Sequence, residues 1–256
     1  GDTLAKIASE KAGIIKKQVP VVIGSTTPET RNVFQTVAQE KEAPIIFAED
    51  SVFGQTSVMV TDSGKHLFPT QDFGTIELDL KGACQTENTK TILCAMSLLL
   101  DMGVVNKDSI ITGFANVCKN TGLRGRWETL GEKPLIVCDT GHNVAGWNYL
   151  SKQIEKQPCA HRHIVFGMVD DKDVSSVLEL LPKNNTTYYW TQASTKRAIP
   201  VEKLCEMAKK HLLNGNTYSS VKEAFEAAKS QAQEADFVFV GGSSYVVADL
   251  LSSCIF

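Results

Sequence analysis

The chain has 256 residues, 43% hydrophobic and 21% charged, with 18 Gly, 8 Pro and a formal net charge of −3. That composition excludes a disordered, collagenous or low-complexity protein. The balanced charge, with no run of five like charges, gives no sequence-wide attraction for nucleic acid or an anionic membrane, so any phosphate must be held by a local site.

Leu4, Ile7, Ala8 and Lys11 fall at helical spacing behind Asp2-Thr3, which predicts a capped helix at the very start of the chain, ended by Gly13. The apolar, β-branched run VVIG at 21–24 reads as a strand, and TPET opens a helix to about Lys41. PIIFAED at 44–50 reads as a second strand, and the alternating segments 57–62 and 75–80 as antiparallel or edge strands. A long helix is predicted from Gln85 to Asp101 and a short one over 109–117. The stretch KNTGLRGRWETLGEKP, rich in Gly and basic residues, reads as a linker, with the boundary near 121–124.

Beyond it the texture is regular. Strands are predicted at 135–139, 163–167, 186–190, 217–219 and 237–241, and helices at 144–156, 173–181, 200–212, 220–233 and 244–253. Short strands alternating with helices predict an α/β, doubly wound, mostly parallel sheet, whose ligands bind outside the carboxyl ends of the strands. Two domains are expected, 1–122 and 123–256. The longest apolar stretches, such as 94–103, fall short of the ~20 residues a bilayer span needs, and no charged-then-apolar leader opens the chain. A soluble, cytoplasmic-type protein is expected. Seven cysteines at 84, 94, 118, 138, 159, 205 and 254 form no C-x-x-C pair and read as reduced, mostly buried side chains.

In CDTGHNVAG at 138–146, Asp139, His142 and Asn143 follow a strand and precede a helix, where unpaired N–H groups favour anions. The plain structural reading makes Asn143 an N-cap and Asp139 a turn residue. Arg126 in GRW offers a bidentate partner for phosphate, though linker arginines are ordinarily just solvated. GGSSY at 241–245 could bring Ser243 and backbone N–H groups near an anion, or merely turn the chain. Glu10 and Lys11 read by default as a solvated pair. No P-loop, H-E-x-x-H or G-x-S-x-G motif occurs in the chain.

The ordered blocks GDTLAKIASEKAGIIK, LKGACQTEN, GFANV with GRWETL, CDTGHNVAG, FGMVDDKD, KRAIP and GGSSYVVAD together resemble the folylpolyglutamate synthase/dihydrofolate synthase family of the Mur ligase superfamily. The resemblance implies an ATP-dependent amide ligase that phosphorylates a folate carboxylate and then couples L-glutamate to it. ATP and Mg²⁺ are implied as cofactors, and dihydropteroate or folates plus L-glutamate as substrates. By the same resemblance Lys11 becomes a carbamate ligand of Mg²⁺. Gln85 and Asn88 face the adenine, Arg126 and Asp139 contact the nucleotide's phosphates and ribose, His142 stands near the transferring phosphate or incoming glutamate, and Ser243 lies in the matching Gly-Ser turn. Cys84 departs from the family, which often has His there.

The resemblance also implies that 1–122 is the end of a central ATP-binding domain, whose P-loop half lies upstream, and that 123–256 is the glutamate-ligase domain. The chain alone is then expected to be inactive and to self-associate through an uncovered apolar face or to be disordered near its N-terminus, whereas the parent is expected to be a monomer. Two other readings are a non-catalytic α/β binding module using the 139/167/241 rim and a muramyl-peptide ligase. The EKAGI block and the spacing of GRWE to CDTGHN favour the folate ligases over the latter.

Overall fold

Thr3 caps the first helix: its hydroxyl accepts the Lys6 N–H at 3.2 Å, and α1 follows over Leu4–Ala12, with Gly13 as its C-cap. The computed structural model describes residues 3–61, 64–170 and 173–253, so expectations for Gly1, Asp2, Cys254 and the Asp171-Lys172 part of FGMVDDKD lie outside the described residues. Two compact units emerge, Gly1–Leu80 with Gln85–Gly122 and Lys81–Cys84 with Leu123–Phe256.

In the first unit, β1 (Val21–Ile23) and β2 (Ile45–Phe47) pair in parallel, Val21 opposite Ile45 and Ile23 opposite Phe47. Between them runs α2 (Pro28–Glu40), started by a Thr27/Thr30 capping box with Pro28 where a missing N–H is harmless. Strand alternation sends Val21 and Ile45 to a small cluster with Ala12, Ile15 and Ala38. Val22 and Ile46 face a larger one with Phe53, Phe68, Ile76 and Leu93. A 3-10 turn, Ala48–Asp50, follows β2. A small antiparallel sheet comprises β3 (Met59–Val60), β4 (His66–Pro69) and β5 (Thr75–Leu78). The long helix α3 (Gln85–Asp101) has the expected bounds, but 109–117 resolves into α4 (Lys107–Ala115) and α5 (Val117–Thr121). The break falls at Asn116, the C-cap of one and N-cap of the other.

The second unit corrects the linker reading. Its segment GRWETLGE is structured: β6 (Glu128–Glu132) pairs antiparallel with β7 (Leu135–Asp139) through a bulge between Thr129 and Gly131. The chain continues through α6 (Val144–Glu155), β8 (Arg162–Phe166), α7 (Val174–Leu180), β9 (Thr186–Trp190), α8 (Val201–Lys210), β10 (Gly215–Thr217), α9 (Val221–Gln231), β11 (Phe237–Gly241) and α10 (Ser244–Ser253). The short strand predicted at 217–219 lies two residues earlier. Strand order is β10-β9-β8-β11-β7-β6, and all pairs but β6–β7 are parallel.

Alternation along the strands divides the core into two faces. Val137, Ile164, Phe166, Trp190 and Phe239 meet Trp147, Leu150 and Ile154 of α6 and residues of α7 and α8. Cys138, Val165, Tyr189 and Val240 meet Ala224 and Phe225 of α9 and Val246 and Leu250 of α10. Strand β11 is followed by a helix on the second face, while its neighbours β7 and β8 are followed by helices on the first. Their carboxyl ends therefore part around β11, the switch point at which such sheets open a crevice.

Candidate active site

The centre of that crevice is Asp139, the last residue of β7. Only 5% exposed, it spends both carboxylate oxygens on backbone donors. Oδ2 accepts the Trp127 N–H at 2.7 Å, and Oδ1 the Gly141 N–H at 2.8 Å. Burial holds its carboxyl above the usual range, opposed by those two N–H groups and by the Arg126 charge. One carboxylate thus ties together the turn bearing Arg126 and the turn bearing His142. A third bond, Thr140 N–H to Gly125 O at 3.0 Å, closes the same link.

Arg126 is half-buried between Gly125 (φ +70) and Trp127 (φ +51). Trp127 is an anchor: its buried ring lies 6.2 Å from that of Phe237 and 6.1 Å from that of Phe239. Glu128 braces the turn from the other side, accepting the Gly125 N–H at 2.7 Å and pairing with Arg124. Held in this way, the backbone that carries Arg126 is fixed before an anion arrives. Neither Trp127 nor Glu128 was singled out in the sequence; the Gly-rich composition of the stretch masked both, and only their adjacency to Arg126 could have drawn notice.

His142 is exposed, with Nδ1 3.1 Å from Thr140 O. Asn143 is an N-cap, its side chain accepting the Gly146 N–H at 2.8 Å, so the plain structural reading of that residue holds. Trp147 Nε1 donates to Gly141 O at 3.1 Å and fixes the loop to α6. Cys84, in the short segment that belongs to this unit, feels the same charges: burial pushes its thiol up, Asp139 adds to that and Arg126 opposes it. The segment is docked on α6, where Gln153 Oε1 accepts the Ala83 N–H at 2.7 Å.

Gly241 pairs with Asp139 across β11–β7 and begins the final turn. At Gly242, φ is +101°, and a Cβ would stand 2.4 Å from Gly167 O, so only glycine fits. Ser243, 1% exposed, caps α10 by accepting the Val246 N–H at 3.2 Å. At the carboxyl end of β9, Trp190 Nε1 and Thr191 Oγ1 are buried without a hydrogen-bond partner among the described residues.

The remaining candidates lie in the first unit. Lys11 is exposed in the last turn of α1. Gln85 and Asn88 form an amide pair on the first turn of α3, Asn88 Nδ2 donating to Gln85 Oε1 at 3.0 Å. Among the described residues no group of three or more His, Cys, Asp or Glu is arranged for a metal ion, and no helix is long and apolar enough to cross a membrane.

Residues 125–244 match the family described as Mur ligase, glutamate ligase domain. That stretch is thus similar to a Mur ligase glutamate ligase domain. Over 254 residues, 98% of the chain, it is 30% identical to the dihydrofolate synthase/folylpolyglutamate synthase of Escherichia coli (strain K12), of whose length it spans 56%. The solved structure of E. coli FolC in complex with DHPP and ADP is 28% identical, with a TM-score of 0.76 over 97% of this chain and 56% of that one. The Mycobacterium tuberculosis folylpolyglutamate synthase complexed with ADP has the same fold, with a TM-score of 0.82 at 23% identity over 100% of this chain and 60% of that one. In fold the second unit is mixed α/β with a mostly parallel sheet, as its strand pattern predicts.

Proposed function

We propose that the chain works within an ATP-dependent ligase that joins L-glutamate to dihydropteroate or a folate. The observation that carries this reading is the 30% identity, across 98% of the chain, to the E. coli dihydrofolate synthase/folylpolyglutamate synthase. The E. coli structure bound to DHPP and ADP supports it. In the proposed reaction the terminal phosphoryl group of ATP passes to a carboxylate oxygen of the pteroate. The amine of glutamate then attacks the acyl carbon; its C–N bond forms, the C–O bond to phosphate breaks, a proton leaves the nitrogen and inorganic phosphate departs.

Arg126 takes the role of a fixed charge on the phosphates, where a preorganised donor stabilises charge that develops in the transition state. His142, exposed on the other turn that Asp139 holds, receives the incoming glutamate or its proton. Asp139 acts by holding both turns, Ser243 by presenting the start of α10, and Gln85 with Asn88 by facing the base. The described residues do not by themselves make a complete magnesium site. Lys11 as a carbamate would supply one hard oxygen donor to such a site. Cys94, Cys138, Cys159 and Cys205 are free thiols, which fits a reducing compartment such as the cytoplasm.

Complementation tests this reading. The complete reading frame that contains this chain is expected to restore growth to a host lacking its folate ligase, and the Arg126→Ala version to fail. Failure of both, with the protein expressed and folded, overturns the proposal. The chain alone, given ATP, Mg²⁺, glutamate and dihydropteroate, is expected to release no phosphate above background.

A further inference from the structure

In the first unit, one carboxylate has more partners than an ordinary surface ion pair explains. Glu49, in the 3-10 turn after β2, accepts the Thr26 N–H at Oε2 (3.1 Å) and the Thr26 hydroxyl at Oε1. The Arg31 guanidinium reaches the same carboxylate at 2.9 Å, also pairs with Asp50, and lies 3.7 Å over the Phe47 ring. Thr26 belongs to the loop after β1 and Arg31 to α2. One side chain therefore locks together the loops that leave both parallel strands.

The locked loop leans on the first turns of α3. A Cβ on Gly24 would stand 2.8 Å from Thr91 Oγ1, which itself donates to Glu87 O at 3.1 Å. Ser25 Oγ reaches Glu87 Oε2 at 3.5 Å, and Lys90 holds the other oxygen of that carboxylate at 2.8 Å. Glu87 lies between Gln85 and Asn88. Close packing at Gly24 leaves little slack, so a displacement of this loop must move the turn that carries the amide pair.

We propose that Glu49 is a positioning residue for nucleobase recognition, setting where the Gln85–Asn88 amide pair stands by pinning the Gly24–Thr26 loop against α3. The inference rests on the reading that this pair faces the adenine. An amide pair discriminates between bases by a donor and acceptor edge, and a misplaced edge loses that discrimination for the base it fits.

The test measures kcat and KM for ATP and for GTP in the complete ligase. Glu49→Ala is expected to lower the ATP-over-GTP ratio of kcat/KM about five- to ten-fold, the worth of roughly one net hydrogen bond, through the KM for ATP and with kcat nearly unchanged. Thr26→Val, which removes one of the two Thr26 bonds while keeping its shape, is expected to give part of the same loss and to keep the proposal testable should Glu49→Ala not fold. An equal fall in kcat for both nucleotides, or an unchanged ratio in both variants, overturns it. Asn88→Ala separates the two levels. If it collapses the ratio while the Glu49 and Thr26 variants do not, only the positioning role fails; if it leaves the ratio intact, the base-facing reading fails and this inference with it.

Discussion

Asp139 shows how a buried carboxylate can govern a site without being spent in the chemistry. Its two oxygens accept two backbone N–H groups from separate turns, and such charge-assisted bonds contribute roughly 1.5–3 kcal/mol each. Asparagine keeps only one acceptor and points its amide hydrogens at the other donor. Asp139→Asn is therefore expected to lose activity about as severely as Asp139→Ala, on the order of 100-fold, since small misplacements of positioned groups have effects of that size. Steady-state kinetics of the two variants check this, and an Asp139→Asn enzyme near wild-type activity contradicts it. At Gly242 the expectation concerns stability. With φ at +101° and a carbonyl 2.4 Å from any Cβ, Gly242→Ala strains the backbone in a packed interior and is expected to lower the urea midpoint clearly.

At the scale of elements, the pH response of the second unit should come from its opposite end. His163 on β8 has Nδ1 2.9 Å from the Tyr189 hydroxyl and Nε2 3.4 Å from Asp236 just before β11. Burial pushes this imidazole below its ordinary value against the pull of Asp236, with His161 also disfavouring its charge. The unfolded chain therefore takes up the proton more readily. The stability this group contributes is complete above the unfolded value, about 6.5, and is lost as pH falls from there through the lower folded value. At Asp236 burial acts upward, but the Gln233 N–H and His163 outweigh it, so its own contribution is lost only at lower pH. Urea midpoints are expected to drop between pH 7.5 and 5.5 and to drop less in His163→Gln; an identical drop in both contradicts the assignment.

The alternation of strand and helix in the second unit was legible because each strand is β-branched or aromatic and each helix carries an apolar face. Strand β6 was not, because Gly125, Gly131 and Pro134 give its surroundings the composition of a linker, and its pairing with β7 depends on a bulge that periodicity does not register. The His163–Tyr189–Asp236 network was equally invisible, its members being far apart in sequence and joined only by the sheet. Asp139 and His142 were marked by their place after a strand, Arg126 by its fixed charge in an apparent linker, and all three by the family resemblance. Their connection through Trp127 and Gly141 backbone donors is a tertiary fact.

For the whole molecule, the buried aromatic layer of the second unit predicts an independently stable body. Trp147 is fully buried, its ring 5.4 Å from that of Phe166 and 5.9 Å from that of Phe239. Trp147→Ala is expected to destabilise by about 3–5 kcal/mol in chemical unfolding. The first unit differs, exposing Leu4 at 52%, Ile14 at 80% and Val19 at 49% around α1. Self-association of the chain through this region is expected in light scattering, and a monomer at all concentrations contradicts it.

The most direct test is incorporation of labelled glutamate into dihydropteroate by the complete polypeptide that contains this chain, in the presence of ATP and Mg²⁺. One ADP and one phosphate are expected per amide formed, with the rate falling at least about 100-fold in Arg126→Ala, the scale on which preorganised charge acts. An absence of labelled product from folded protein, or product formed at an undiminished rate by Arg126→Ala, would contradict that expectation.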